Sequence, residues 1–258
     1  MDELRRKAGE KFANEGVTLG KQGKYEEAIA SYDKAIELKP DYADAWHNKG
    51  VILGKQGKYE EEIASYDKAI ELKPDDAEAW YNKGVALGEQ GKHEEAIASY
   101  GKAIELKPDY ADAWCNKGVA LGELGQHKEA LACFDEVVKL KPDFAEAWYN
   151  KGITFQILGL ESIRAGDMRE ADEQVLELVQ LRREAEKDGM AQTVDEAVRE
   201  FKEKLSEREL KKFDEFELMF TLLAIEDPFE RWRLLKREIG RRWPKGVSAV
   251  EAIREQRE

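Results

Sequence analysis

The sequence predicts an all-α fold in which helix-turn-helix units stack into a solenoid, followed by a further helical region. A unit of 34 residues at 41–74 recurs almost unchanged at 75–108 and 109–142. Tryptophan and proline both keep this 34-residue step. The tryptophans are Trp46, Trp80, Trp114 and Trp148, and the prolines are Pro40, Pro74, Pro108 and Pro142. A fixed period of this length is typical of repeat proteins, in which neighbouring units share one continuous core.

Each unit contains two amphipathic helices. In the copy that begins at 41, Trp46, Gly50 and Leu53 fall at helical spacing and therefore share one face of the first helix. Gly57 is predicted to end that helix. Apolar residues return at helical spacing on the second helix, which ends at Pro74 because proline cannot continue a helix.

Glycine recurs inside every first helix, at Gly16, Gly50, Gly84, Gly118 and Gly152. A glycine within a helix costs ~1 kcal/mol relative to alanine, so its repetition indicates that another element approaches closely. We expect the small alanines of the second helices to be its counterpart. These alanines are Ala28, Ala96 and Ala130. The second copy has Glu62 in this column, and we expect its head group to reach solvent or a lysine, because an unpaired buried carboxylate is costly.

These columns resemble the tetratricopeptide repeat (TPR). Within 34 residues, tryptophan is followed by glycine four positions on and a large apolar residue three further, then by alanine, an aromatic residue, alanine and proline. The resemblance covers about 9–160. It implies antiparallel helix pairs stacked in a right-handed superhelix, whose first helices line a concave groove that binds a peptide or protein segment.

On this basis the chain divides into a TPR-like solenoid at 9–187 and a C-terminal helical region at 193–258. The predicted repeats are 9–42, 43–76, 77–110, 111–144 and an extended fifth at 145–187. The fifth copy returns to register only if seven residues are inserted, after which 166–171 matches 91–96. Both of its helices are therefore predicted to be longer, and an unrelated helix pair is the alternative.

The resemblance places the candidate binding site on the first helices, beside the tryptophan stripe. Three columns form it: a variable column, an asparagine column and a valine column. Their members are His47, Tyr81, Cys115 and Tyr149; Asn48, Asn82, Asn116 and Asn150; and Val51, Val85 and Val119. The variable column either sets selectivity or holds neutral, half-exposed substitutions. The asparagines have the right chemistry to hydrogen-bond an extended backbone.

Some members of the family clamp a terminal carboxylate with lysine and arginine in the groove. The variable column here contains neither residue, and the first helices begin with aspartate or glutamate. We therefore expect the partner to be an apolar or mildly basic protein segment rather than an acidic tail.

Composition excludes several other classes of protein. Lys plus Arg is 42 against 55 for Asp plus Glu, so the formal charge is −13, which disfavours binding to nucleic acid or an anionic membrane. The N-terminal segment lacks the apolar core of a signal peptide, and no stretch approaches the ~18 apolar residues of a membrane helix. The two cysteines lack metal-ligand spacing, which favours a reduced, cytoplasmic compartment. No nucleophile, phosphate-loop or metal-binding pattern occurs, so we predict neither an enzyme nor a cofactor.

The period ends at 188–189, and amphipathic helices are predicted beyond it. One of them carries a broad apolar face that either packs internally or mediates self-association or partner docking. This face consists of Phe213, Phe216, Phe220 and Leu223, with Met219 and Leu222. Residues 231–245 carry seven cations and one anion around two tryptophans. Internal packing of this stripe is the simpler reading; the alternatives are a nucleic-acid-associated or antitoxin-like regulator and a homodimerising architectural protein.

Overall fold

The computed structural model describes residues 2–165 and 168–203, which form helices joined by short turns. The helices are α1 (Asp2–Lys21), α2 (Tyr25–Leu38), α3 (Ala43–Lys55), α4 (Tyr59–Leu72), α5 (Ala77–Glu89), α6 (His93–Leu106), α7 (Ala111–Glu123), α8 (His127–Leu140), α9 (Ala145–Ala165), α10 (Met168–Lys187) and α11 (Ala191–Glu203). These ranges contain no strand. The predicted all-α fold built from helix pairs is confirmed. The chain divides into two compact units, 1–147 and 148–258.

The first unit consists of four helix pairs, α1–α2 to α7–α8, in which each helix packs on the next. Within every pair the turn contains a glycine with positive φ, such as Gly57 at +70°. Gly57 N donates to Gly54 O at 2.9 Å and Lys58 N donates to Leu53 O at 3.1 Å. These bonds satisfy the last carbonyls of the helix, and glycine adopts this conformation without a steric penalty. The predicted helix end at Gly57 is confirmed.

The charged residues before residue 9 belong to α1, which begins at Asp2. In the later repeats, the first helix begins at the position equivalent to residue 9, because it follows a proline by a few residues. Residues 2–8 contain no proline, and Lys7 Nζ lies 2.9 Å from Glu3 Oε1 one turn away, a spacing that supports a helix.

The glycine of each first helix makes room for an aromatic ring on the second helix of the same pair. A Cβ at Gly50 would lie 2.8 Å from Tyr66 Cε1, and a Cβ at Gly84 would lie 2.6 Å from Tyr100 Cε1. Gly16 and Gly118 face Tyr32 and Phe134 in the same way. The prediction that the alanine column packs against these glycines is therefore wrong. The edge of an aromatic ring, not a small side chain, occupies the space above each glycine.

The tryptophans connect successive pairs. Trp80 packs against Ala69 and Ile70 of the preceding pair and against Ala103 and Ile104 of its own pair. Its indole Nε1 donates to Pro74 O at 3.1 Å, so the ring is anchored to the turn that begins the repeat. The tryptophan column thus contributes to the stacking core, because its rings bury apolar surface shared by two repeats.

The second unit contains α10, α11 and most of α9. A Cβ at Gly152 would lie 3.3 Å from Ala197 Cβ and 3.8 Å from Val194 Cγ1, so this glycine faces α11. Arg182 joins α10 to α11 through Asp195, with Nε–Oδ1 and Nη2–Oδ2 distances of 2.7 and 3.1 Å. The helices α9 and α10 are long, as predicted for a fifth repeat. The repeat itself and the boundary between 187 and 193 stay predictions.

Several expectations lie outside the described residues. They concern residues 166–167, at the insertion in the fifth copy, and the apolar face and basic stretch within 204–258. Across the helices of the described ranges, none combines the length and apolar character that crossing a membrane requires.

Candidate functional site

The asparagine and variable columns form hydrogen bonds between successive repeats of the first unit. Asn116 Nδ2 on α7 donates to the Tyr81 hydroxyl on α5 at 3.1 Å. One repeat earlier, Asn82 Nδ2 lies 3.4 Å from His47 Nε2. These four side chains are half-buried. The two columns contact each other between repeats, so that one amide N–H of Asn116 is engaged within the array, and one of Asn82 is engaged when His47 Nε2 is the acceptor.

Asn48 differs from the other two asparagines. The residue 35 positions before it is Ala13, which has no hydrogen-bonding side chain. Within the described part of the chain, no side-chain hydrogen bond to the Asn48 amide is formed.

Tyr81 lies in a cluster of aromatic rings. Its ring centroid is 5.9 Å from that of Tyr100 and 4.9 Å from that of Tyr110. Burial raises the pKa of Tyr81, and the nearby Asp112 carboxylate raises it further. Burial likewise raises the pKa of Tyr110 to about 12. Both hydroxyls are therefore neutral at physiological pH and remain hydrogen-bond donors.

Cys115 corrects the prediction for the variable column. Its exposed fraction is 1%, and it belongs to a core cluster with Ala111 and Val137. A residue this deeply buried makes no direct contact with a ligand in the groove. The column therefore changes from half-buried at His47 and Tyr81 to core at Cys115, because the small thiol fits under its neighbours.

A cavity of about 290 Å³ lies between α5 and α7, beside the start of α6. Val85 and Val119 from the predicted valine column line it, together with Asn116. Val119 is 38% exposed and lines the cavity, whereas Leu72, Leu106 and Leu140, which are similarly exposed, do not line it. The cavity also includes residues that the sequence analysis did not predict as site residues. They are Gly88, Glu89, His93, Tyr100, Ala120 and Glu123.

A signal for this cavity is present in the sequence. The column that contains Glu89 and Glu123 has Lys21 and Lys55 in the first two repeats. The change from lysine to glutamate at this position identifies the two repeats between which the cavity lies.

Glu62 contradicts the expectation that its head group reaches solvent or a lysine. Its exposed fraction is 7%, and its carboxylate lies over Gly54, where a Cβ would be 2.5 Å from Oε1. Burial raises the pKa of Glu62 to about 7; a hydrogen bond with Tyr66 opposes this and the charge of Glu89 adds to it. Among the residues that the structure describes, Oε2 has no hydrogen-bond partner. Because its carboxyl group is buried between α3 and α4, it is partly neutralised there.

Two further predicted residues, Tyr149 and Asn150, lie in the second unit on α9, and Val51 is half-buried on α3. Tyr149 and Asn150 are also half-buried. Asn150 O accepts a hydrogen bond from Thr154 Oγ1 at 2.7 Å, a bond within the helix. In the first unit the structure thus brings together His47 with Asn82 and Tyr81 with Asn116, and it places Val85 and Val119 in one cavity. The described part of the chain contains no cluster of three metal-ligating side chains.

Comparison with known families agrees with this geometry. A tetratricopeptide repeat profile matches residues 18–57, 52–91 and 87–125, and a second profile of the same name matches 111–144. The chain belongs to the tetratricopeptide repeat family. The matched TPR segments cover α2 to α8 and most of the groove-lining residues of the first unit.

Solved TPR structures have the same fold. One is a crystal structure of MamA protein, with 24% identity and a TM-score of 0.58 over 65% of this chain and 91% of that one. Another is YrrB, described as a TPR protein with an unusual peptide-binding site, with 23% identity and a TM-score of 0.56 over 73% of this chain and 90% of that one.

A curated relative matches a shorter segment. It is the uncharacterized protein MJ0572 of Methanocaldococcus jannaschii, 48% identical over 46 residues, which are 18% of this chain and 52% of the relative. The chain thus spans about half the length of that protein.

Proposed function

We propose that this TPR protein is a non-enzymatic scaffold that binds a segment of a partner protein in the groove lined by its first helices. The observation that carries this proposal is the cavity between α5 and α7, with half-exposed Val119 at its side. A concave surface with valine walls and a few polar groups is the kind of site that a partner segment occupies. The family and the peptide-binding site described for YrrB support a groove for protein segments.

The hydrogen-bonded pairs support an extended ligand in this groove. Asn116 is held in place by the Tyr81 hydroxyl, and Asn82 by His47. Their amide oxygens accept hydrogen bonds, as the backbone N–H groups of an extended segment require. Because these side chains are already ordered, binding loses less conformational entropy. The cytoplasmic location stays a prediction from cysteine usage.

The groove is tested by Val119→Lys, with Leu106→Lys as the matched control. Both residues are exposed apolar positions on helices, at 38% and 42%, but Leu106 lies at the end of α6 and does not line the cavity. Pull-downs from the native lysate should recover the same proteins with wild type and Leu106→Lys, and lose them with Val119→Lys. Circular dichroism should show equal helix content in all three. Equal capture by both variants would place the binding surface elsewhere.

A further inference from the structure

The cavity between α5 and α7 has equivalents at the two earlier repeat junctions, and the chain fills both of them with its own side chains. At the first junction Ile52 occupies the space, since its Cδ1 lies 2.7 Å from a Cβ placed at Gly20. At the second junction Glu62 occupies it, with its carboxylate over Gly54. The glycines Gly20, Gly54 and Gly88 are equivalent positions in successive repeats.

The third junction is open because both filling residues are replaced by alanine. Ala120 stands at the position of Ile52, and Ala96 at the position of Glu62. A Cβ at Gly88 would meet only the Tyr100 hydroxyl, at 3.7 Å. The space at this junction is therefore left for a group that the described part of the chain does not supply.

The charges around this space are negative and unpaired. Glu89 and Glu123 both line it, and its lining residues in the described ranges include no lysine or arginine. Neither carboxylate forms an ion pair with any residue in the described ranges. The two carboxylates that line the cavity therefore favour binding of a cationic group.

The rest of the lining suits a long aliphatic stem. Val85 and Val119 provide apolar walls, and the Asn116 amide and the Tyr100 hydroxyl add polar atoms. Lysine and arginine have this construction, with an apolar stem and a cationic head that bonds strongly to carboxylates. A cavity of about 290 Å³ is close to the lower limit for small-molecule sites, so a single side chain suits it better than a large cofactor.

We propose that the cavity between Glu89 and Glu123 binds a lysine or arginine side chain of the partner segment. This inference rests on the proposed function, because the side chain belongs to a segment held in the groove. It deepens that function by assigning the chemistry of one position in the partner. The stem lies between Val85 and Val119, and the cationic head lies at the two carboxylates.

The test uses the full chain as bait for a displayed library of random linear peptides. Retained peptides should share a lysine or arginine at one position. Replacement of that residue by glutamine in a synthetic peptide should weaken binding about tenfold or more, as expected for the loss of a charged hydrogen-bonded contact. The same loss is expected for the doubly substituted chain Glu89→Gln, Glu123→Gln. A chain with Glu60→Gln and Glu61→Gln, which loses the same charge away from the cavity, should bind as wild type does.

A second variant tests the cavity without any change of charge. Ala120→Ile transfers to the third junction the residue that fills the first junction, and it leaves both carboxylates in place. It should reduce binding of the lysine- or arginine-containing peptides to the level of their glutamine versions. Circular dichroism and thermal melting verify that each variant is folded.

The outcomes separate this inference from the proposed function. Peptides that bind wild type and are lost with Val119→Lys, but show no preference for a cation, overturn the inference and leave the groove proposal intact. A cation preference that survives both Glu89→Gln, Glu123→Gln and Ala120→Ile also overturns it, because the cation is then bound elsewhere. A library that yields no retained peptide, or only peptides indifferent to Val119→Lys, overturns both.

Discussion

The second and third repeats have nearly the same sequence and the same framework, yet their interiors differ at one point. In both, a first-helix glycine receives the edge of a tyrosine ring, Gly50 with Tyr66 and Gly84 with Tyr100. In the second repeat Glu62 then fills the space beside Gly54, whereas in the third the equivalent Ala96 leaves the space beside Gly88 open. One substitution in a conserved frame thus decides whether a repeat junction is sealed or open to a ligand.

The side chain that seals the second junction costs stability, because it places a carboxyl group in the interior. Glu62 is buried with Tyr66 as a side-chain hydrogen-bond partner, and Glu89 lies nearby with the same charge. Ala96 is fully buried and apolar. A carboxyl group in such a place is tolerated because protonation removes most of the penalty of burial. The second repeat therefore depends on pH in a way that the third does not.

The largest expected effect concerns the frame that the two repeats share, which is the packing of a tyrosine ring on a first-helix glycine. Tyr66→Ala and Tyr100→Ala should each lower the free energy of unfolding by roughly 3–5 kcal/mol, because each leaves a cavity above a glycine. Urea denaturation followed by circular dichroism measures both. Similar losses support one frame in both repeats; a loss confined to one variant would show that the frames are not equivalent.

The next effect concerns the charge of Glu62. Its pKa in the folded chain, about 7, lies above its ordinary value of 4.5, so the folded chain binds the proton more tightly than the unfolded chain. Stability should therefore fall as pH rises from about 4.5 to about 7. Glu62→Gln should be more stable than wild type at pH 8, by on the order of 2 kcal/mol, and nearly equal to it near pH 4.

Thermal melts of wild type and Glu62→Gln across this pH range measure the difference. Glu61→Gln, the exposed neighbour on α4, is the control and should follow the wild-type pH dependence. A constant difference between wild type and Glu62→Gln at all pH values would contradict a titrating carboxyl at this junction.

The smallest effect concerns the two groove glycines. Gly88→Ala should raise the free energy of unfolding by about 0.5–1 kcal/mol, because alanine favours the helix and its Cβ makes only an ordinary contact with the Tyr100 hydroxyl. Gly54→Ala should raise the free energy of unfolding by less than this, or lower it, because its Cβ would lie 2.5 Å from Glu62 Oε1. In a Glu62→Ala chain, Gly54→Ala should behave as Gly88→Ala does. Thermal denaturation of the single and double variants decides whether Glu62 alone distinguishes the two junctions.

Much of the fold could be predicted from the sequence because it depends on local patterns. The repeat length, the two helices per repeat and the glycine-ended turns all follow from spacing and from the conformational limits of glycine and proline. The placement of Tyr81 beside Asn116 follows from the period once the repeats stack. The partner of the buried glycines could not be inferred in the same way, because a ring four residues beyond the expected alanine reaches the same space.

In the second unit, the 34-residue period no longer predicts which residues are in contact. Gly152 occupies the same column as Gly50 and Gly84, but its close neighbours are Val194 and Ala197 of α11. Those residues lie beyond the last copy of the repeat, so no spacing within the 34-residue unit indicates the contact. A contact between distant segments depends on how whole helices pack, which a local pattern does not encode.

The sequence by itself determined the family, the helix pairs and the columns from which a groove is formed. Tertiary structure alone decided which members of those columns are accessible: His47 and Tyr81 stay half-buried, whereas Cys115 enters the core. It also decided that Ile52 and Glu62 fill two junctions while Ala96 and Ala120 leave the third open. The physical reason is that side chains from three helices meet at each junction, and the size of one of them determines whether space remains.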